Sequence, residues 1–550
     1  MKQWVYKTGR QLSQFFDNKW GVIVSLVVSI GSFLALAIPR LSTVAFWFDE
    51  SFSSFITRFN WADLTHYTAV DVHPPLYYYL LKIWTSLFGS SVAAMRSMSV
   101  FFGVIALVLI FVLIKKLFGR KTAGLATFLI AISPVMVHYG IEARMYTVLL
   151  CITIGATIMM IRANKTDKWL DYLVYGFLVA LGMWTHYFTA VVWLGHWIYR
   201  LISLRVDGIR SKELWRRYFD KKWLVAFVFA IALYLPWMPI LLQQFNTVNE
   251  GFWIGDVNIN TPIGYFADAL LFSEGDQSYE RSVITNWLAI LVLITFITLV
   301  VATTKYFVQT AKQSQKRKNL SLIITLATAP VIILILLSLP PFEPLFVSRY
   351  LVTSMVFLII LFVINVMWSP KKNRYLKLQL LLAGLIIATT AIGLGRVFHY
   401  ENNMRGNALA GELVKAVQAK DNETPIVAPD AYSYYVAVAN NGVDNIYLSY
   451  DSIKDSQVGS VLMTKYAECQ QLNSDKKTRS TCTAYAYTED KRLSFPVLDK
   501  QPQQFWLIGS TDDDKIELPD TLSGYHAKET IFITNPATGD HKYKATLYQL

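Results

Sequence analysis

Runs of about twenty apolar residues recur along this chain, and each is long enough to cross the hydrocarbon core of a bilayer as a single helix. They fall at 20–38, 92–114, 122–138, 143–161, 170–186, 188–204, 222–242, 284–304, 320–339, 348–368 and 377–395, about eleven in all. Inside lipid a backbone can satisfy its own polar groups only as a helix or a closed barrel, and runs of this length select the helix. Composition agrees: 54% of the 550 residues are hydrophobic, 16% are charged, and the mean hydropathy is +0.37. An α-helical polytopic membrane protein is expected. The first run, Trp20 to Ile38, is longer than a signal-peptide core and no small-residue cleavage site precedes Arg40, so it reads as a retained span.

Charge is placed unevenly. Residues 1–395 carry 35 basic and 18 acidic side chains, whereas residues 396–550 carry 16 and 20. The basic residues gather in every second loop: Lys115 to Lys121, Arg162 to Lys168, Arg205 to Lys222, Lys312 to Lys318 and Lys371 to Lys377. Such a bias sets topology, with basic loops and the amino terminus in the cytoplasm. An odd number of spans then places residues 396–550 outside, with the outer loops 39–91 and 244–283. No basic groove interleaved with aromatics is visible, and nucleic acid is not an expected partner.

Two domains follow, a transmembrane module at 1–395 and a small extracytoplasmic α/β domain at 396–550. The second alternates β-like runs (425–428, 504–508, 543–548) with polar turns and a helical stretch near 405–419. Of three cysteines, Cys151 lies in an apolar run and reads as core packing. Cys469 and Cys482 can bridge if their region is extracytoplasmic; two unpaired thiols are the alternative.

The chemistry-bearing residues cluster in the basic-poor loops. Asp49-Glu50 directly follows the first span, and carboxylates beside lipid are costly enough to need a reason. Phe52, Phe55, Ile56 and Phe59 recur after them at helical spacing, which predicts an amphipathic helix in the outer interface. Neighbours on a helix diverge by about 100°, so one carboxylate can face a substrate while the other caps the helix or holds a partner. Both can also be simple caps. Next come Asp71 and His73, ahead of Pro74-Pro75, which suit the start of a second helix. Glu142-Ala143-Arg144-Met145-Tyr146 sits at the outer end of the third span, either as a local ion pair or as a phosphate holder built on a guanidinium. His186 and Tyr187 occupy the next outer turn, and Arg349-Tyr350 opens a later span at the same depth.

Together, Phe48-Asp49-Glu50, Asp71 to Leu81, Glu142 to Tyr146, Trp184 to Phe188 and Arg349-Tyr350-Leu351 resemble bacterial relatives of the dolichyl-phosphate-mannose protein mannosyltransferases. They are also similar to the lipid A aminoarabinose transferases, within the GT-C glycosyltransferase fold. The resemblance is strongest over 40–200 and says little about 400–550. It implies a membrane enzyme with a polyprenyl-phosphate sugar donor, an extracytoplasmic acceptor (protein, lipid or cell-envelope glycan), and a catalytic acid in the first outer loop. By position Asp49 inherits that role, with Glu50 as its partner.

Those residue types suit the reaction. A sugar leaving a lipid phosphate needs cations to absorb the growing charge, which Arg144 and Arg349 supply, with His186 and Tyr146 as hydrogen-bond partners. The acceptor hydroxyl needs a base, and a carboxylate can serve. Single displacement inverts the anomeric configuration. Some relatives use a divalent cation, but no spacing here demands one. Two other readings are a flippase or transporter of lipid-linked sugars and a membrane-anchored binding protein acting through 396–550. The first calls for internal repeats or broken mid-membrane helices, and the sequence displays neither.

Overall fold

The computed structural model describes residues 19–43, 45–249, 254–272, 283–310, 314–368, 373–403, 408–428, 431–441, 446–448, 503–510, 524–534 and 541–550. Cys469 and Cys482 lie outside the described residues. The chain divides into two compact units: residues 1–39 with 99–398, and residues 40–98 with 399–550.

The first unit is a helix bundle. Of the described helices, eight are long and apolar enough to cross a membrane, and they correspond to eight of the eleven runs in the sequence. The other three runs give shorter or more polar helices. The run at 122–138 breaks into Arg120–Ala131 and Pro134–Tyr139, because Ser133 caps a new helix and Pro134 takes its first position. The run at 170–186 becomes the 17-residue helix Trp169–Thr185. That at 188–204 becomes Thr189–Val206, which carries His196, Arg200 and Arg205. Periodicity marks an apolar run but not whether a cap interrupts it.

Packing separates a central helix from rim helices. Within the Ser348–Trp368 span 83% of the apolar window is buried, against 22% for Trp20–Arg40, Ser211–Phe245 and Leu376–His399, whose remaining faces suit lipid. Close approach uses small residues: a Cβ on Gly176 would stand 2.3 Å from the Ala226 carbonyl oxygen where Trp169–Thr185 crosses Lys221–Tyr234. Polar ties join helices inside the bundle, with Thr153 Oγ1 and Thr353 Oγ1 at 3.0 Å and His196 bonded to both Thr157 (3.1 Å) and Tyr175 (3.0 Å). Cys151 Sγ donates to the Phe102 carbonyl at 3.0 Å.

The basic loops meet at one end of this unit. Arg200 donates to Asn164 and to the Tyr218 carbonyl, Lys222 pairs with Asp167, and Lys318 pairs with Asp207. Asn319 donates to the Leu117 carbonyl at 2.8 Å. Four loops singled out by their Lys and Arg content are thus held side by side.

The second unit combines the first loop region with an α/β fold. Its five-stranded sheet runs β2 (Ile446–Leu448), β1 (Ile426–Ala428), β3 (Gln504–Ser510), β5 (His541–Gln549), β4 (His526–Thr534). The first three strands are parallel and the last three antiparallel. Helices Ala408–Lys420 and Ala431–Asn441 accompany the sheet. The loop region adds three helices, Phe48–Ile56, Trp61–Val70 and Leu76–Phe88, the last starting after Pro75 as the paired prolines predict. Asn60, which caps Trp61–Val70 through a bond from the Asp63 N–H, was the available signal for the middle one.

Candidate active site

The acidic pair opens the Phe48–Ile56 helix of the second unit, where the positive end of the helix dipole favours negative charge. The two carboxylates have different surroundings. Glu50 is fully buried and receives both a 2.8 Å bond from Arg96 Nε and a 2.6 Å bond from Arg96 Nη2. Arg96 also donates to the carbonyls of Leu41 (3.1 Å) and Ala45 (3.2 Å). In a two-pronged, fully enclosed pair of this kind the charges compensate each other, and removing either one strands the other. Asp49 is half-buried, so it is the carboxylate with a surface to offer. Arg96 was legible as a lone cation entering an apolar run, which always calls for a partner.

The apolar stripe after the pair forms the expected helix as far as Ile56, with Phe59 just past its end, and protein covers it. Phe52, Phe55, Ile56 and Phe59 are all buried. Phe48, Phe52 and Phe55 surround the Tyr435 ring with centroids 5.9, 5.7 and 4.9 Å away, each edge-on. The interfacial reading is therefore corrected: the C-terminal helix Ala431–Asn441, not the bilayer, covers this face. The Tyr435 phenol is held well above its ordinary pKa, first by burial and then by the negative charge of Asp71. Asp71 ends the Trp61–Val70 helix and meets His73 Nδ1 at 2.9 Å, both side chains being about one-fifth exposed.

The remaining candidates lie in the first unit. His138 and Glu142 flank the turn after Pro134–Tyr139, with Nε2 and Oε2 3.7 Å apart. Gly140 permits that turn, since a Cβ there would stand 2.3 Å from the Met136 carbonyl oxygen and 2.6 Å from the Phe33 ring. Arg144 N–H donates to the Glu142 carbonyl at 2.7 Å, and Ser99 Oγ donates to the same oxygen. Tyr146 starts the next helix with its ring 4.6 Å from Tyr139. Glu142, Arg144 and Tyr146 are all buried.

His186 ends Trp169–Thr185 and lies 5.0 Å from the Tyr350 ring, which stacks on Phe188 at 4.7 Å. The structure thus joins the His186 turn to the Arg349-Tyr350 turn, which are far apart in sequence. Tyr187 points elsewhere, hydrogen-bonded to Gln244 and Trp237. Arg349 is half-buried in the short turn Ser348–Leu351, fastened by a 2.5 Å bond from Ser348 Oγ to Asp268. Asp268, on helix Thr261–Leu271 within the 244–283 loop, escaped the sequence reading because nothing local marks it. Among the described residues no group of three or more His, Cys, Asp or Glu is arranged to hold a metal ion.

A family model described as dolichyl-phosphate-mannose-protein mannosyltransferase matches residues 72–240, less than half of the chain. That stretch contains His73, Glu142, Arg144, Tyr146 and His186, and excludes Asp49 and Arg349. In the crystal structure of ArnT from Cupriavidus metallidurans bound to undecaprenyl phosphate, the similarity covers 96% of this chain and 98% of that one. The TM-score is 0.56 at 12% sequence identity. The fold is GT-C. The apo form of the same ArnT gives 0.54 at 11% identity, covering 98% of both chains. The apo oligosaccharyltransferase of Archaeoglobus fulgidus gives 0.50 at 12%, covering 90% of this chain and 70% of its own. No curated protein matches the sequence. The GT-C fold and the long apolar helices together describe a multi-pass membrane protein.

Proposed function

We propose that this protein is a membrane glycosyltransferase that moves a sugar from a polyprenyl-phosphate donor to an acceptor hydroxyl outside the membrane. The observation that carries the reading is the division of labour in the acidic pair: Glu50 is committed to Arg96, and Asp49 is half-buried at the head of the same helix. The fold similarity to an ArnT solved with undecaprenyl phosphate supports a ligand of that class.

In this mechanism Asp49 takes the proton from the acceptor O–H. The acceptor oxygen forms a bond to the anomeric carbon, and the bond from that carbon to the phosphate oxygen breaks. The electron pair stays on the lipid phosphate, whose added charge is met by Arg144 and Arg349 with His186 and Tyr146 beside them. One displacement inverts the anomeric centre. Glu50 orients the helix through Arg96. Asp71 and His73 are further candidates for this site, and a divalent cation is a possible addition to it.

The donor is met at the extracytoplasmic face, with the amino terminus inside and loops 39–91, 244–283 and residues 396–550 outside. The basic loops held together at one end of the first unit support that orientation. A cysteine at the exposed position Lys528 should react with an impermeant maleimide in intact cells, and protection there until lysis would reverse the topology.

The decisive assay supplies purified protein with radiolabelled polyprenyl-phosphate sugars, one at a time, with a cell-envelope extract as acceptor. Transfer from one of them, lost in Asp49→Asn, is expected. Equal transfer by wild type and Asp49→Asn would remove the base, and transfer from none would remove the enzyme reading.

A further inference from the structure

Segment 45–50, which delivers the acidic pair, is gripped from two directions by residues remote in sequence. Arg96 holds the Ala45 carbonyl and the Glu50 carboxylate. On another side, Asn440 of helix Ala431–Asn441 faces the peptide of Phe46. The Phe46 N–H donates to Asn440 Oδ1 at 2.9 Å, and Asn440 Nδ2 donates back to the Phe46 carbonyl at 3.4 Å. A primary amide carries an acceptor oxygen and a donor nitrogen side by side, so it can accept from and donate to the same residue's backbone as a neighbouring strand would. Nδ2 also donates to the Val436 carbonyl at 2.7 Å, which fixes the amide's rotation.

Phe46 is fully buried, so its polar groups have no water to fall back on and the clamp is costly to remove. Its ring also lies 5.6 Å from the Arg96 guanidinium, so the two grips share a residue. Helical geometry carries the constraint forward. At about 100° per residue, Phe48, Phe52 and Phe55 project within roughly 60° of one another, on a face about 90° from Asp49, and Glu50 projects about 100° the other way. One flank is packed on Tyr435 and the other is bonded to Arg96. Asp49 lies between the two, so its carboxylate sits where both flanks and the Phe46 peptide put it.

We propose that Asn440 is a positioning residue for Asp49, and that the C-terminal domain serves the reaction by fixing the start of the Phe48–Ile56 helix. This rests on the assignment of Asp49 as base. Gly411 adds a second handle: a Cβ there would meet Asn440 Nδ2 at 3.0 Å, crowding the amide without deleting it.

The test compares wild type, Asn440→Ala and Gly411→Ala as full-length protein in lipid nanodiscs. Hydrogen exchange is measured over residues 45–52, alongside transfer kinetics with the polyprenyl-phosphate sugar the wild type uses. Losing the clamp should speed exchange in that segment by about five- to tenfold, the size of one buried hydrogen bond. It should lower kcat by about ten- to a hundredfold, the penalty for a slightly misplaced catalytic group, with donor KM unchanged within about twofold. Gly411→Ala should move both readouts in the same direction, and it carries the test if Asn440→Ala does not fold. Unchanged exchange, or faster exchange with intact kcat, overturns the proposal. A donor KM that rises in step with the fall in kcat also overturns it, because a general loss of structure would do the same. A wild type inactive with every donor defeats the glycosyltransferase reading instead, and the exchange data then decide whether Asn440 fixes the helix.

Discussion

The Asp49-Glu50 helix in the second unit and the Glu142–Tyr146 turn in the first both bring charge to buried positions, but they are built differently. The turn is shaped mostly by nearby residues: Ser133 caps its helix, Gly140 lets the chain fold back, and Arg144 bonds to the carbonyl two residues before it, with Ser99 as a more distant donor to that same carbonyl. The acidic helix depends on side chains 46 and 394 residues away, Arg96 for Glu50 and Asn440 for Phe46. A local arrangement survives changes elsewhere in the chain. A long-range one is sensitive to them, which makes the acidic helix the part of the site most exposed to mutation at a distance.

The largest expected effect sharpens the contrast within the acidic pair. Asp49→Asn keeps the size but loses the proton acceptor, and turnover should fall about 10²–10⁴-fold with the thermal midpoint unchanged. Glu50→Gln should cost turnover less and stability more. Breaking its enclosed pair with Arg96 should cost about 3–5 kcal/mol of stability in a denaturation measurement, and the double change Glu50→Met with Arg96→Met should recover much of it. Equal stability of Glu50→Gln and wild type would erase the distinction between the two carboxylates.

A smaller effect is expected in the first unit. Arg349→Ala should weaken donor use by about 2–3 kcal/mol, the value of a charge-assisted bond to phosphate. Unchanged donor affinity in both Arg349→Ala and Arg144→Ala would remove them from the site. The least effect concerns Tyr435. Its phenol is raised in the folded protein, so the neutral form is the one that folding favours. The stabilisation is complete below the ordinary phenol value of about 10 and is lost as pH rises towards the folded value. Tyr435→Phe should flatten the alkaline decline of the thermal midpoint, and parallel declines would show that another group titrates.

Several of the site's features were readable one stretch at a time. Apolar run length marked eight spans, paired prolines marked the start of Leu76–Phe88, and the acidic pair announced itself by its cost beside lipid. Of the Phe52, Phe55, Ile56 and Phe59 stripe, the first three lie on the expected helix and Phe59 lies past its end, and protein instead of lipid covers the face. A stripe records that a face is covered, not by what. The runs at 122–138, 170–186 and 188–204 form helices too short or too polar to mark as spans by length and hydropathy, since an average passes over a cap such as Ser133 or a charge such as Arg200.

By itself, then, the sequence determined that the chain crosses a membrane several times as helices, which loops are basic, and where acidic and basic side chains stand near helix ends. These follow from local composition and period, which physics reads within one or two turns. Tertiary structure decided which carboxylate is enclosed, that Tyr435 and not lipid meets the phenylalanine face, that Asp268 fastens the Arg349 turn, and that Asn440 holds Phe46. Each of these depends on a partner tens to hundreds of residues away. A hydrogen bond or ring contact of a few ångströms leaves no mark on the spacing of residues along the chain.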